Sequence, residues 1–327
     1  MLIAAFLQHT LRIWLLENGR ADLPRLLDHE LFELFEARFF QDATKRAENV
    51  RTFIDLLWRL RVIFDEHIIK WADQGEEEIH LISNISVSSS SGKRYMSRSR
   101  QTDSHRAFSL LQSMLYHSQE ITTQYWLTPL LLFMHRNPGE KAERYFAYLR
   151  HLDNHLLGSA ADDSLVVRTL AFMNEPWQRR ALIHQTELGN ACGVKFAHYW
   201  FYKLEFVLWF QEKRDTERWK KFRLTAKSSV EHISPQTPTE RDDNRVNQAL
   251  DHFGNLALVS RSLNSEYGNL PYNEKRQRFL NNNKSRIDSL KMDLIYENEQ
   301  WNDTKAFAHQ QEMIRCLDCY CQDTRSA

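Results

Sequence analysis

An acidic residue and a histidine stand side by side in Val230-Glu231-His232-Ile233-Ser234-Pro235-Gln236, and a proline closes the segment. Downstream come Gly254-Asn255-Leu256-Ala257-Leu258-Val259, then Ser262-Leu263-Asn264-Ser265 and, after a turn, Lys275. These residue types suit phosphodiester hydrolysis. That reaction needs a water deprotonated in line with the leaving oxygen and a cation to absorb charge on the phosphate. Imidazole is the side chain that ordinarily titrates near neutral pH, which makes His232 the natural general base. On an extended segment neighbouring side chains point to opposite faces, so Glu231 need not crowd the histidine. It can present oxygen to a hard cation such as Mg²⁺ (or Mn²⁺), with the amide oxygen of Asn264 as the second ligand.

Those side chains need elements to hold them. Pro235 lacks an N–H and ends a short strand, Gly254 marks a turn, and 255–259 reads as a second strand. Asn264 then falls near the start of a helix. Two short strands and a helix around one metal make a ββα-metal unit. Positive charge gathers on both sides of it. Lys220, Lys221 and Arg223 precede the unit, and Arg276 and Arg278 follow Lys275. In a chain whose lysine plus arginine equals its aspartate plus glutamate at 43 each, this local excess is where phosphate contacts are expected. The balanced total excludes a global basic field.

The rest reads as helical scaffold, so the expected class is mainly α: a multi-helix body, the small ββα-metal (HNH-like) module and a C-terminal helix. Only nine glycines and seven prolines in 327 residues leave few turns for a many-stranded sheet. Apolar periodicity marks helices over about 23–40, 49–71, 104–116, 128–134, 140–157, 165–172, 178–188, 194–210 and 298–320. Residues 79–87 alternate weakly, as a short strand does, while the serine- and arginine-rich stretch at about 83–106 reads as a flexible loop, or as a basic strip through Lys93, Arg94, Arg98 and Arg100 that touches nucleic acid. The expected division is a body over 1–222, the module over 223–297 and a terminal helix over 298–327 that packs back on the body. The aromatic run Phe196–Phe210 reads as core. His151 and His155 lie one turn apart without a third ligand, and Cys316, Cys319 and Cys321 lack the fourth ligand of a zinc knuckle. With four cysteines and no apolar run near the roughly 20 residues that span a bilayer, the expected setting is the cytoplasm, with no membrane partner.

The ordered set Glu231-His232-Ile233-x-Pro235, Asn255-Leu256 and Asn264 resembles the HNH endonuclease motif. The nine-residue step from Asn255 to Asn264 matches the form whose last letter is asparagine. More narrowly, the three strings above followed by Lys275 resemble the C-terminal nuclease domain of GmrSD-type modification-dependent restriction enzymes. Tyr202-Lys203-Leu204-Glu205 resembles the lead-in of that family. The resemblance implies a metal-dependent DNA endonuclease of a restriction or anti-phage system. It makes His232 the base, Glu231 (aspartate in many HNH proteins) and Asn264 the metal ligands, and Asn255 the residue that pins the loop and orients His232. Lys275 becomes a phosphate or structural contact. The family also carries a ParB-like nucleotide-binding domain with an Asp-Gly-Gln-Gln-Arg-like signature, which this sequence does not contain, so a partner supplying that domain is expected. The alternative is a helical partner-docking and DNA-binding subunit whose HNH fold is degenerate and non-catalytic.

Overall fold

The computed structural model describes residues 3–20, 23–27, 30–73, 78–100, 106–119, 124–158, 163–174, 187–211, 216–237, 245–284 and 286–323. Two compact units emerge, Met1–Leu156 with Ala161–Arg179 and Arg180–Ala327 with Leu157–Ala160. Helices dominate both. Among the described residues no helix is long and apolar enough to cross a membrane.

The first unit contains α1 (Ile3–Glu17), α2 (Leu31–Arg38), α3 (Arg46–His67), α4 (Arg106–Ser118), α5 (Leu127–Arg136), all but the end of α6 (Ala142–Gly158), and α7 (Leu165–Asn174). Every position of α1 from Ala5 to Leu15 except Leu7 is buried, so this helix runs through the core. Its buried polar side chains Gln8, His9, Thr10 and Arg12 each make a hydrogen bond within the unit, although His9 Nε2 and two of the Arg12 guanidinium nitrogens have none among the described residues. His9 Nδ1 lies 2.7 Å from Thr128 Oγ1, and burial, helped by Arg12, pushes its imidazole down to about 3. On α3 only Phe53, Leu56, Leu60 and Phe64 are buried, the one-sided spacing of a surface helix.

Helical periodicity extends to Trp71, but the helix stops at His67. The β-branched pair Ile68-Ile69 turns the chain into β1 (Ile69–Asp73). Gln112 holds the junction, accepting from Ile69 N and donating to His67 O, each at 3.0 Å. The stretch expected as a flexible loop at 83–106 is corrected more sharply. β2 (Glu78–Ser90) and β3 (Lys93–Arg100) pair antiparallel from Ser83↔Arg100 to Ser90↔Lys93, and β1 pairs with β2. Ser91 and Gly92 make the reversal with φ of 51° and 74°. Two positive φ values form the turn whose twist matches a tight hairpin. Ladder hydrogen bonds satisfy a serine-rich backbone whatever its side chains, so composition alone misread it. Residues 101–105 of that stretch lie outside the described residues, as do 178–186 of an expected helix.

The second unit contains α8 (His198–Gln211), α9 (Glu217–Lys220), β4 (Ser229–His232), β5 (Leu256–Val259), α10 (Arg261–Tyr267), α11 (Tyr272–Asn282), α12 (Leu290–Tyr296) and α13 (Asp303–Asp323). Single 3₁₀ turns cover Gly193–Lys195 and Phe253–Asn255. The aromatic helix α8 is core, buried without a break from Trp200 to Leu208. A helix buried on every face needs neighbours all round, and α12, α13 and β5 pack against it. The expected boundary at 222 therefore moves to 180, and α13 packs inside this unit. Four-residue strands and short helices bury too little by themselves to stand as a module over 223–297.

Candidate active site

β4 and β5 pair antiparallel, with Glu231 opposite Ala257 and His232 opposite Leu256, and α10 follows directly, capped by Ser260. Strand alternation sends the two adjacent side chains of β4 to different partners. His232 meets Asp251, Nε2 to Oδ1 at 2.9 Å, in a contact where the histidine side chain is 9% exposed and the aspartate 45%. A carboxylate only accepts, so the ring proton sits on Nε2 and the lone pair on Nδ1. Among the described residues Nδ1 takes no hydrogen bond. Gln236 Nε2 lies 3.4 Å from the same Oδ1. Gly193 completes the seat: it donates to the Asp251 carbonyl at 2.9 Å. A Cβ built on it would lie 2.9 Å from Asp251 Oδ1.

Glu231 points to α11. Lys275 Nζ donates to its Oε1 at 2.6 Å and to the His232 carbonyl at 2.7 Å. The lysine side chain is closed from water and that of Glu231 nearly so. Burial pushes the Glu231 carboxyl up and the Lys275 amine down, while each partner's charge opposes the other's shift. Lys275 thus neutralises Glu231 and ties α11 to the end of β4. Asn264 is half-buried on α10, and its side-chain amide makes no hydrogen bond among the described residues.

Asn255 is fully buried and fully used. Its Oδ1 accepts from Ser234 N and Trp301 Nε1, both at 3.0 Å, and its Nδ2 donates to Leu250 O at 2.9 Å and Ser234 O at 3.3 Å. Its carbonyl accepts from Ile233 N at 2.9 Å. One side chain and its backbone thereby clamp the two residues after His232. Gly254 lets this turn form against α13, because a Cβ there would stand 2.0 Å from the Ala306 carbonyl oxygen. Lys291 braces the other side, donating to the carbonyls of Phe253 and Leu256 with its amine 3.9 Å from the Phe253 ring centre. The lead-in residues are braces as well. Tyr202 Oη accepts from Lys227 N at 2.7 Å, Lys203 lies over the Tyr320 ring, and the Glu205 carboxylate caps α12 through Ser289 and Leu290 N.

The expected phosphate contacts fare differently. Lys220 and Lys221 are exposed on and beside α9, and Arg223 is half-buried. Arg276 is drawn inward, donating to the Tyr296 carbonyl at 2.7 Å, and Arg278 reaches Glu266. His155 of the histidine pair is buried, with Nε2 2.9 Å from the Arg168 carbonyl oxygen. Among the described residues no cysteine forms a disulfide. Among the described residues no group of three or more His, Cys, Asp or Glu side chains gathers to hold a metal ion. Asp251, Gly193 and Trp301 escaped the motif reading because they lie outside it. An aspartate four residues before the clamping asparagine, across a turn from the strand that carries the histidine, was the available signal for Asp251.

Residues 188–316 match the family model described as GmrSD restriction endonucleases, C-terminal domain. The match covers less than half of the chain, lies wholly in the second unit and contains every residue from Glu231 to Lys275. It upholds the resemblance to a GmrSD-type nuclease domain drawn from the motif strings. No curated protein and no solved structure matches the chain.

Proposed function

We propose that the second unit is a metal-dependent HNH-type endonuclease that hydrolyses phosphodiester bonds of DNA, the cutting part of a restriction system that acts against foreign DNA. One observation carries this reading: His232 is held through Nε2 by Asp251 at 2.9 Å, which leaves Nδ1 to accept a proton from water. The Asp251 carboxylate keeps the ring in that tautomer and stabilises the imidazolium formed as the water attacks. Asn255 holds the backbone after His232 and so keeps the ring at a constant distance from its partner. Lys275, closed from solvent, supports β4 rather than a phosphate.

A Mg²⁺ or Mn²⁺ ion fits the donor set. Such an ion keeps several waters and takes only one or two protein oxygens. Glu231 has Oε2 remaining beside the Oε1 bound by Lys275, and Asn264 has an uncommitted amide oxygen. When bound, the ion supplies Lewis-acid relief of the charge that builds on the phosphate and leaving oxygen. Exposed Lys220 and Lys221 provide screened, sequence-independent attraction for the DNA backbone. The family resemblance adds a ParB-like nucleotide-binding partner and modified phage DNA as the target to this proposal.

Purified protein, with and without such a partner, should nick plasmid or phage DNA when Mg²⁺ is added, and His232→Ala should abolish nicking. Undiminished cleavage by that variant overturns the reading. The neutralised Glu231 favours a second reading, in which the same fold grips DNA without cutting it. Calorimetric Mg²⁺ or Mn²⁺ binding that is lost in Glu231→Ala or Asn264→Ala decides against that alternative.

A further inference from the structure

We propose that the β2–β3 hairpin of the first unit is a second nucleic-acid contact, a ribbon that lies in a groove of duplex DNA. From Ile79 to Arg100 the chain carries Lys93, Arg94, Arg98 and Arg100 and no acidic residue, in a protein whose charges balance overall. The cations are concentrated on one strand. Lys93 and Arg94 follow immediately after the Ser91–Gly92 turn, and Arg98 and Arg100 come later on β3 at register positions opposite Ile85 and Ser83.

The ribbon leaves the body as it approaches its tip. Its base is anchored, with Ile82 buried, whereas residues 88–95 and Ser97 are all exposed. Consecutive exposed residues on paired strands mean that both faces of the distal hairpin are open. Among the described residues Lys93 and Arg94 make no ion pair, and Tyr95 is half-exposed beside them. A two-stranded ribbon open on both faces is marginal in water alone. The same shape fits the roughly 12 Å width of a DNA major groove. The strand facing the cations is Ser88-Ser89-Ser90, whose short hydroxyl side chains let a phosphate backbone come close and can donate to it.

Edge protection is the competing use of charge on an open strand, and it works with either sign. Phosphate recognition needs positive charge, and arginine, three of the four cations here, matches phosphate oxygens in a bidentate manner. Charge reversal separates the two. The double variant Lys93→Glu/Arg94→Glu keeps an edge guarded by charge and inverts the interaction with phosphate.

The test uses the full chain with His232→Ala in every sample, so that binding is read without cleavage and does not depend on the nuclease chemistry. Affinity for a fluorescent duplex of about 25 base pairs is followed by anisotropy across a salt series. At about 0.1 M salt the charge-reversed protein should bind at least ten-fold more weakly. Its slope of log affinity against log salt should flatten by about two, near 0.9 for each lost phosphate contact. Lys93→Gln/Arg94→Gln should fall between the two. Unchanged affinity and slope in both double variants overturn the proposal. An equal loss for a single-stranded oligonucleotide of the same length overturns the duplex assignment.

Discussion

Lys275→Met tests whether the ion pair behind the histidine is what holds the site together. The Lys275 and Glu231 side chains are 0% and 6% exposed, and the ammonium is 2.6 Å from the carboxylate. The methionine fills similar space but deletes the donor to Glu231 Oε1 and to the His232 carbonyl. It leaves a carboxylate that burial already disfavours without a counter-charge. Breaking a buried pair from one side costs about 3–5 kcal/mol, a large share of the roughly 5–15 kcal/mol of a typical domain. With a urea slope of about 2 kcal/mol per molar, a loss of about 4 kcal/mol moves the unfolding midpoint by about 2 M. Tryptophan fluorescence in urea reads this directly, since Trp219 and Trp301 are buried in the same unit. The double variant Glu231→Gln/Lys275→Met removes both charges and should recover most of the loss. Two results refute the argument: a midpoint shift under about 0.5 M, equivalent to about 1 kcal/mol, or a double variant no more stable than the single one.

Asp251→Ala should lower kcat about ten- to hundred-fold with little change in KM, because it acts on the base and not on the DNA. Asp251→Asn retains an acceptor oxygen and should keep more activity than the alanine variant, and equal loss in both removes the hydrogen-bond argument. Gly254→Ala places a methyl against the Ala306 carbonyl, 2.0 Å from its Cβ, so the turn bearing Asn255 must shift. The expected cost is about 1–3 kcal/mol, read as a lower melting temperature together with reduced nicking. Burial pushes the Lys291 amine from its ordinary 10.5 down to about 7, although Glu205 pulls it back up. Between those values the unfolded chain holds a proton that the folded chain lacks. Stability should therefore climb with pH by about 1.4 kcal/mol per unit and be lost as pH falls toward 7. Urea midpoints at about pH 7 and pH 9 check the slope, and Lys291→Met should flatten it.

Much of the second unit was legible because its motifs are local. A histidine before a proline, a glycine-asparagine turn and an asparagine one helix start later require only short-range geometry, and β4, β5 and α10 follow in that order. The aromatic helix read correctly as core, since so dense a run of aromatic and aliphatic side chains is stable only when buried. The serine- and arginine-rich hairpin did not, because strand pairing rests on backbone hydrogen bonds that composition does not report. The boundary at 180 was hidden for a related reason: which helices share a core depends on surfaces far apart in sequence.

What the sequence by itself determined is the chemical set: an imidazole, carboxylate and amide oxygens, and a lysine, at spacings that suit a hairpin and a helix. What only the tertiary structure decided is how those groups are spent. Lys275 lies 44 positions from Glu231, yet it takes one carboxylate oxygen, and Asp251, outside the motif, takes the histidine. Hydrogen bonds and ion pairs depend on distances of about 3 Å in space. Spacing along a chain cannot set such distances until the core formed by α8, α12 and α13 has brought the strands and turns together.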